Sequence, residues 1–435
     1  MIIFKGLKGS TIKKDFLYTI AGKIVAMISY FGLDIVIARF MGYKIYDEWN
    51  FFFSILVIGN WIVRFGIDAS TKAYIASNES NRHIQDSYLI TGLKLQLFVS
   101  TMYLLTWLFI VDFCARQLGY PFKYKHLKLL LVVGAIYSSG YGVYALIKEC
   151  FVGYIEFKKV FLLSVCEFLG YFLWGTLGIW VYGIYGLMIG YLISIIITIM
   201  YGLVLVRNKK GKQQILCKEK YIKEIFKYAL YLSIANIGGL VLTEMDTFML
   251  GIFGNQEVGI YSVAKNLISK ATNIPQAICV STMTVMAFVN SENIENKLKK
   301  YKKIILAGML SAVIISICFI IIGKVFIDIS YGKEYLESYN ILMILLVYFC
   351  LYSLTGFLST FLIYQKSGKG IALSYIVLIL SNLLLNYLWI PEKGAIGAAL
   401  ASSLSMVPYT LILIYLNKCS LVKIKNMEIK NEQNY

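Results

Sequence analysis

The stretch "LTEMDTFMLGIFG", residues 242–254, holds Glu244 and Asp246 inside an otherwise apolar run. Lys23, Arg64, Lys94, Glu167, Lys265 and Lys270 share that setting, and Asp34 lies near the end of an earlier run. A charge at the centre of a membrane-spanning helix costs roughly 2.5–3.5 kcal/mol. It needs an ion partner, a water-filled cavity, or a stem long enough to reach the headgroups. The chemistry open to this set is electrostatic: lysines and arginines for an anionic substrate, acids to balance them. For Lys23, Arg64 and Lys94 two readings stand, a snorkelling side chain or a cavity wall. Lys265 and Lys270 are five residues apart and do not quite share a face. Glu244 and Asp246 suit either a structural ion pair or counter-ions that offset the cations in an empty cavity and couple transport to an ion.

The elements that must carry these residues follow from composition. The chain has 435 residues, 59% of them hydrophobic and only 15% charged, with a mean hydropathy of +0.70. That is too apolar for a soluble domain and fits a multi-span membrane protein. Apolar runs near the ~20 residues needed to cross a bilayer recur along it. They fall at 15–38, 49–68, 88–111, 127–147, 160–181, 184–206, 228–252, 258–289, 303–327, 335–364, 370–390 and 394–416. The expected fold is all-α, about twelve transmembrane helices in two six-helix parallel-repeat bundles around a central cavity. The expected division is 1–206, a basic cytoplasmic linker 207–227, a second bundle 228–417, and a tail 418–435.

Charge sets the orientation. Loops on the side of both termini hold 28 Lys and Arg, and those on the other side hold 7. This positive-inside bias predicts cytoplasmic termini, and it accounts for the net charge of +18 without nucleic acid. The linker "RNKKGKQQILCKEKYIKEIFK" reads as a topology determinant that rests on anionic headgroups. No Walker A loop is present, the eight cysteines show no C-x-x-C spacing, and His83 and His126 are far apart. An ATPase, a metal site and any cofactor are therefore not expected. No long outer loop offers paired acids for general acid–base chemistry, so an enzyme is not expected either.

The two halves match at a nearly constant offset. Asp34, Gly42 and Trp49 pair with Asp246, Gly254 and Tyr261 at 212; Phe151, Tyr154 and Lys159 pair with Phe361, Tyr364 and Lys369 at 210. Gly183, Gly186 and Ser194 pair with Gly394, Gly397 and Ser405 at 211. Six spans per repeat give parallel repeats, the plan of transporters whose bundles rock about a central site.

On these features, with "ARFMGYKIYDEWNFFFSI" after the first helix and "EMDTFMLGIFGNQEVGIYSVAKNL" after the seventh, the chain resembles the Wzx-type O-antigen and polysaccharide repeat-unit flippases. These belong to the multidrug/oligosaccharidyl-lipid/polysaccharide exporter superfamily. The recurring pattern is acid, apolar run, Gly, then G-x-Y-S-x-A, here Asp246, Gly254, Gly259, Tyr261, Ser262 and Ala264. The resemblance implies a bacterial inner-membrane flippase moving an undecaprenyl-diphosphate-linked oligosaccharide to the periplasmic leaflet. Its partners would be membrane lipids and a polysaccharide polymerase with its chain-length regulator. It implies substrate-binding roles for Arg64, Lys265, Lys270 and Lys23, with Asp246, Glu244 and Asp34 as ion-coupling or charge-balancing acids. Lys44, Asp47 and Glu48 depart from the pattern, crowding a turn where Gly and Tyr are more usual. The rival readings are a cation-coupled multidrug exporter of the same fold and a membrane glycosyltransferase or polymerase.

Overall fold

The computed structural model of the protein describes residues 10–78, 80–117, 127–207, 219–253, 257–283, 294–364 and 368–433. Gly254, His126 and most of the 207–227 linker lie outside these residues. The described elements are helical in the order α1 (Ser10–Arg64), α2 (Ile67–Ser77), α3 (Arg82–Gln117), α4 (Leu127–Gly153), α5 (Phe157–Arg207), α6 (Glu219–Ile252), α7 (Val258–Ala271), α8 (Asn273–Met283), α9 (Ile294–Ser330), α10 (Ser338–Tyr364) and α11 (Gly368–Gln433). A single 3-10 turn at Lys333–Tyr335 separates α9 from α10. No strand occurs among the described residues, and helices, which bond their backbone groups within the segment, suit a bilayer interior.

Seven of these helices are long and apolar enough to cross a membrane. Three are more than twice the needed length and double back at a break. In α1 the break is Gly42, in α5 Tyr182–Gly183 and in α11 Gly394. A straight helix would hold residues eight apart about 12 Å from each other. Instead Gly178 and Gly186 are so close that a Cβ on either would collide with the other's carbonyl, which defines α5 as a tight hairpin. In α1 the hydroxyl of Tyr46 reaches Asp34, twelve residues earlier, across the Gly42 turn. The doubled helices bring the seven to ten membrane-length stretches; α6 and the α7–α8 pair stand where the other two expected spans fall.

The boundaries differ from expectation at two places. Residues 69–87 read as a loop, yet α2 continues to Ser77 and α3 begins at Arg82. The chain breaks instead at Phe65 and Gly66, which take φ of 46° and 72°. Gly66 also packs against the carbonyl of Ala229 on α6, at a spot with no room for a Cβ. Similarly, the expected span 258–289 is divided at Thr272, and Pro275 sits in the first turn of α8, where no intrahelical amide is required.

The chain divides into two compact units, Met1–Glu244 and Met245–Tyr435. In the first, Trp49, Phe52, Tyr137, Tyr171 and Tyr191 are buried. In the second, Tyr301 stacks on Phe361 at 4.7 Å and donates to Asn417 at 2.9 Å. The outward faces carry large apolar side chains such as Leu97, Phe98 and Phe109 on α3 and Ile320, Ile321 and Ile329 on α9. Buried faces of α11 are small and polar instead, with Ala395, Ala398, Ala399, Ser402 and Ser405. That inside-out distribution is what lipid as solvent selects.

Candidate functional site

In the second unit, the centre of polar chemistry is Asp246. α6 presents it, and only 7% of it is exposed. Tyr261 of α7 donates to its Oδ2 at 2.6 Å. Asn386 and Asn382, one turn apart on the first limb of α11, donate to Oδ1 at 2.6 and 3.3 Å. Ser402, on the returning limb of α11, donates to Oδ2. The Gly394 hairpin is what places the amides and the hydroxyl on opposite sides of one carboxylate. Glu257 fixes that hairpin by accepting the amide of Ala395 at 2.6 Å, where a carboxylate meets the start of the returning limb.

Tyr261, Asn382, Asn386 and Ser402 are all neutral donors. A carboxylate buried this deeply is normally matched by a cation, because hydrogen bonds from neutral groups offset only part of its desolvation. Asn386 is fully buried, and its Oδ1 has no hydrogen-bond partner among the described residues. The cluster thus combines a negative charge with an unmet oxygen acceptor, a donor set that suits a proton or a small monovalent cation.

The other expected residues distribute unevenly. Lys265 bonds the hydroxyl of Thr247, the next residue along α6 from Asp246, at 2.9 Å. Lys270 is half-buried in the last turn of α7, and Glu244 is half-buried on α6. Asp34 accepts from Tyr46 at 3.0 Å, so each unit has an acid held by a tyrosine hydroxyl. Lys23 is exposed beside Ile20, Ile24 and Met27, and Lys94 is exposed beside Leu97 and Phe98. Both are therefore on outward apolar faces, as a snorkelling side chain would be.

Arg64 is held by an acid the sequence reading passed over. Its Nε and Nη2 contact Asp68 Oδ2 at 2.6 and 2.5 Å, and its guanidinium lies 5.1 Å from the Trp61 ring centroid. Two further ion pairs of the first unit join α4 to its neighbours. Lys72 of α2 meets Glu149 of α4 at 2.5 Å, and Lys148 of α4 meets Glu167 of α5 at 3.3 Å. Glu167 is 1% exposed and also accepts from Tyr144 and, at 3.4 Å, from Tyr171, which shares a 2.6 Å hydrogen bond with Tyr137. Outside the spans, Tyr154 donates to Asp86 at 2.6 Å; burial first, and this bond second, push its hydroxyl pKa above the ordinary value.

Sequence reasoning missed Asn382, Asn386 and Ser402 because they are neutral, although an amide pair four apart in "SNLLLNYLW" is a helical-face signal. At the offset of 211 the first-half counterparts of Asn382 and Ser402 are Tyr171 and Tyr191. Those two rings stack at 4.6 Å, so the duplicated position is aromatic in one unit and hydrogen-bonding in the other.

Helices of this length and apolarity, doubled back and centred on buried polar clusters, define a multi-pass membrane protein. Its architecture matches solved transporters. A lipid II flippase MurJ in an inward closed conformation superposes with a TM-score of 0.76 at 17% identity, over 94% of this chain and 90% of that one. An inward-facing multidrug resistance MATE family transporter of the MOP superfamily gives 0.79 at 13%, over 94% and 99%. Residues 12–287 match the polysaccharide biosynthesis protein family, and the chain belongs to that family. A Shigella flexneri protein described as an O-antigen transporter is 28% identical over 245 residues. The match covers 54% of this chain and 56% of that protein, so the chain spans little more than half the length of that relative.

Proposed function

We propose that this protein flips an undecaprenyl-diphosphate-linked oligosaccharide repeat unit from the cytoplasmic to the periplasmic leaflet of a bacterial inner membrane. It does so by alternating access of two six-helix bundles, 1–206 and 228–417, joined by the basic linker 207–227, with both termini cytoplasmic. Arg64, Lys265 and Lys270 receive the anionic headgroup, whereas Lys23, on an outward apolar face, snorkels to the membrane surface. Asp246 takes up the coupling proton or monovalent cation, with Glu244 and Asp34 balancing charge. A polysaccharide polymerase and its chain-length regulator receive the product.

The observation that carries this reading is the Asp246 cluster, a buried acid ringed by neutral donors with an unmet acceptor beside it. Such a group binds differently in two protonation or ion-loaded states, which is what coupling requires. Turning over the Asn386 amide would bring its oxygen to a cation beside Asp246. Membership of the polysaccharide biosynthesis family supports a glycan cargo. The multidrug exporter shares the fold, so cargo has to be separated by experiment.

Deleting the gene and locating lipid-linked repeat units by leaflet makes that separation. Loss of surface glycan with repeat units trapped on the cytoplasmic face is the expected outcome. Intact glycan together with new sensitivity to cationic dyes would replace the flippase with the drug exporter.

A further inference from the structure

Arg64, Asp68 and Lys72 recur at four-residue spacing on either side of the Phe65–Gly66 break, and Glu149 approaches from α4. Both Arg64 contacts go to Oδ2 of Asp68, and Oδ1 has no hydrogen-bond partner among the described residues. Asp68 is 0% exposed. A buried carboxylate with a bare oxygen is incomplete, because a desolvated acceptor forfeits its hydrogen bonds to water. Arg64, Lys72 and Glu149 nevertheless keep 21%, 37% and 26% of their side-chain surface. The cations are therefore reachable, and the acids already occupy them.

We propose that Arg64 and Lys72 form a subsite for a diphosphate group, and that Asp68 and Glu149 are internal counter-ions which the incoming anion must displace. The site rests on the anionic cargo proposed above. Arg64 contacts Asp68 across the break and Lys72 follows Asp68 one turn on along α2, so a planar guanidinium and a point-charge ammonium stand on either side of that acid in the chain, and both are suited to phosphate oxygens. An anion seated there meets the Asp68 and Glu149 charges, which it must displace from the two cations. The other groups facing this position are Tyr141 and Glu149 from α4, which both interact electrostatically with Arg64. Glu167 of α5 lies beyond Tyr141 and is held by Lys148. α3 contributes the neutral Gly92, packed on Thr71, and Gln96, which donates to the carbonyl of Val63. On α6, Glu224 is bonded to Tyr88, and the carbonyl of Ile225 accepts from Ser70.

Competition predicts a sign that a structural ion pair does not. Binding of pyrophosphate and of a short prenyl diphosphate to the purified full-length protein, at pH 8 and without divalent metal, is the measurement. Glu149→Gln and Asp68→Asn are each expected to raise diphosphate affinity about tenfold, the effect of about 1.4 kcal/mol. Lys72→Gln is expected to lower it by a similar factor. Prenyl diphosphate bound at least as well as pyrophosphate assigns the site to a lipid headgroup; pyrophosphate alone assigns it to a free anion. Should Asp68→Asn fail to fold, Glu149→Gln carries the test, since its side chain is partly exposed. Affinity unchanged or weakened in a folded Glu149→Gln protein overturns the subsite. The flippase reading would survive that result, because leaflet location of the glycan decides it separately.

Discussion

Asp246→Asn reduces glycan export by roughly 100-fold, near the upper end of the 1–3 kcal/mol span of coupling energies, while the protein still folds. The asparagine has nearly the same shape, and the hydroxyls of Tyr261 and Ser402 can rotate to serve either as donors or as acceptors. The hydrogen-bond loss therefore costs about 1–2 kcal/mol of stability, against a charge that is removed outright. Asp246→Ala behaves differently. It takes the carboxylate acceptor from the amides of Asn382 and Asn386, leaving them only Ser402 and each other, and adds a stability loss of about 3 kcal/mol. Export assays paired with thermal unfolding of purified protein separate the two effects. Normal export by Asp246→Asn would remove Asp246 from the coupling mechanism.

The second large effect falls on stability. Glu167→Leu leaves Lys148 facing Tyr144 and Phe168 with no carboxylate, at ammonium-to-ring distances of 5.4 and 5.2 Å. Removing one member of a buried ion pair costs about 3–5 kcal/mol, because the remaining charge is desolvated and unmatched. It also takes away the acceptor that Tyr144 and Tyr171 share. Adding Lys148→Met should recover most of the loss, since two matched apolar residues replace two charges. Thermal unfolding of the single and double variants in detergent gives the coupling directly. A single variant within about 1 kcal/mol of wild type would show that Lys148 does not depend on Glu167.

Much of the fold was legible because lipid as solvent leaves few options. Long apolar runs had to become helices, and the Gly42, Gly183 and Gly394 positions that matched between halves are the places where helices double back or divide. Asp246 was legible for the same reason, as a charge that apolar surroundings make costly. The ring around it was not. Asn382, Asn386 and Ser402 bear no charge, and only the hairpin at Gly394 brings residues 136 to 156 positions away onto one carboxylate. The ion pairs of the first unit were hidden by boundaries. Hydropathy ended the second span at 68 and opened a loop at 148, so Lys72, Lys148 and Glu149 counted as loop charges. The helices run past the apolar stretch on both sides because those charges match one another, and also match Glu167, across α2, α4 and α5. Arg64 was found as a cation but not as half of a pair, since Asp68 lay at the edge of the assigned span.

Reconstitution tests the central claim most directly. Purified protein would be placed in liposomes with undecaprenyl-diphosphate-linked oligosaccharide, and a membrane-impermeant glycan-binding probe would report the outer-leaflet fraction over time. The account predicts that glycan equilibrates between leaflets in vesicles carrying the folded wild-type protein, and far more slowly in vesicles carrying Asp246→Asn. Folded wild-type protein that moves no glycan but accumulates a cationic dye under the same ion gradient would contradict it.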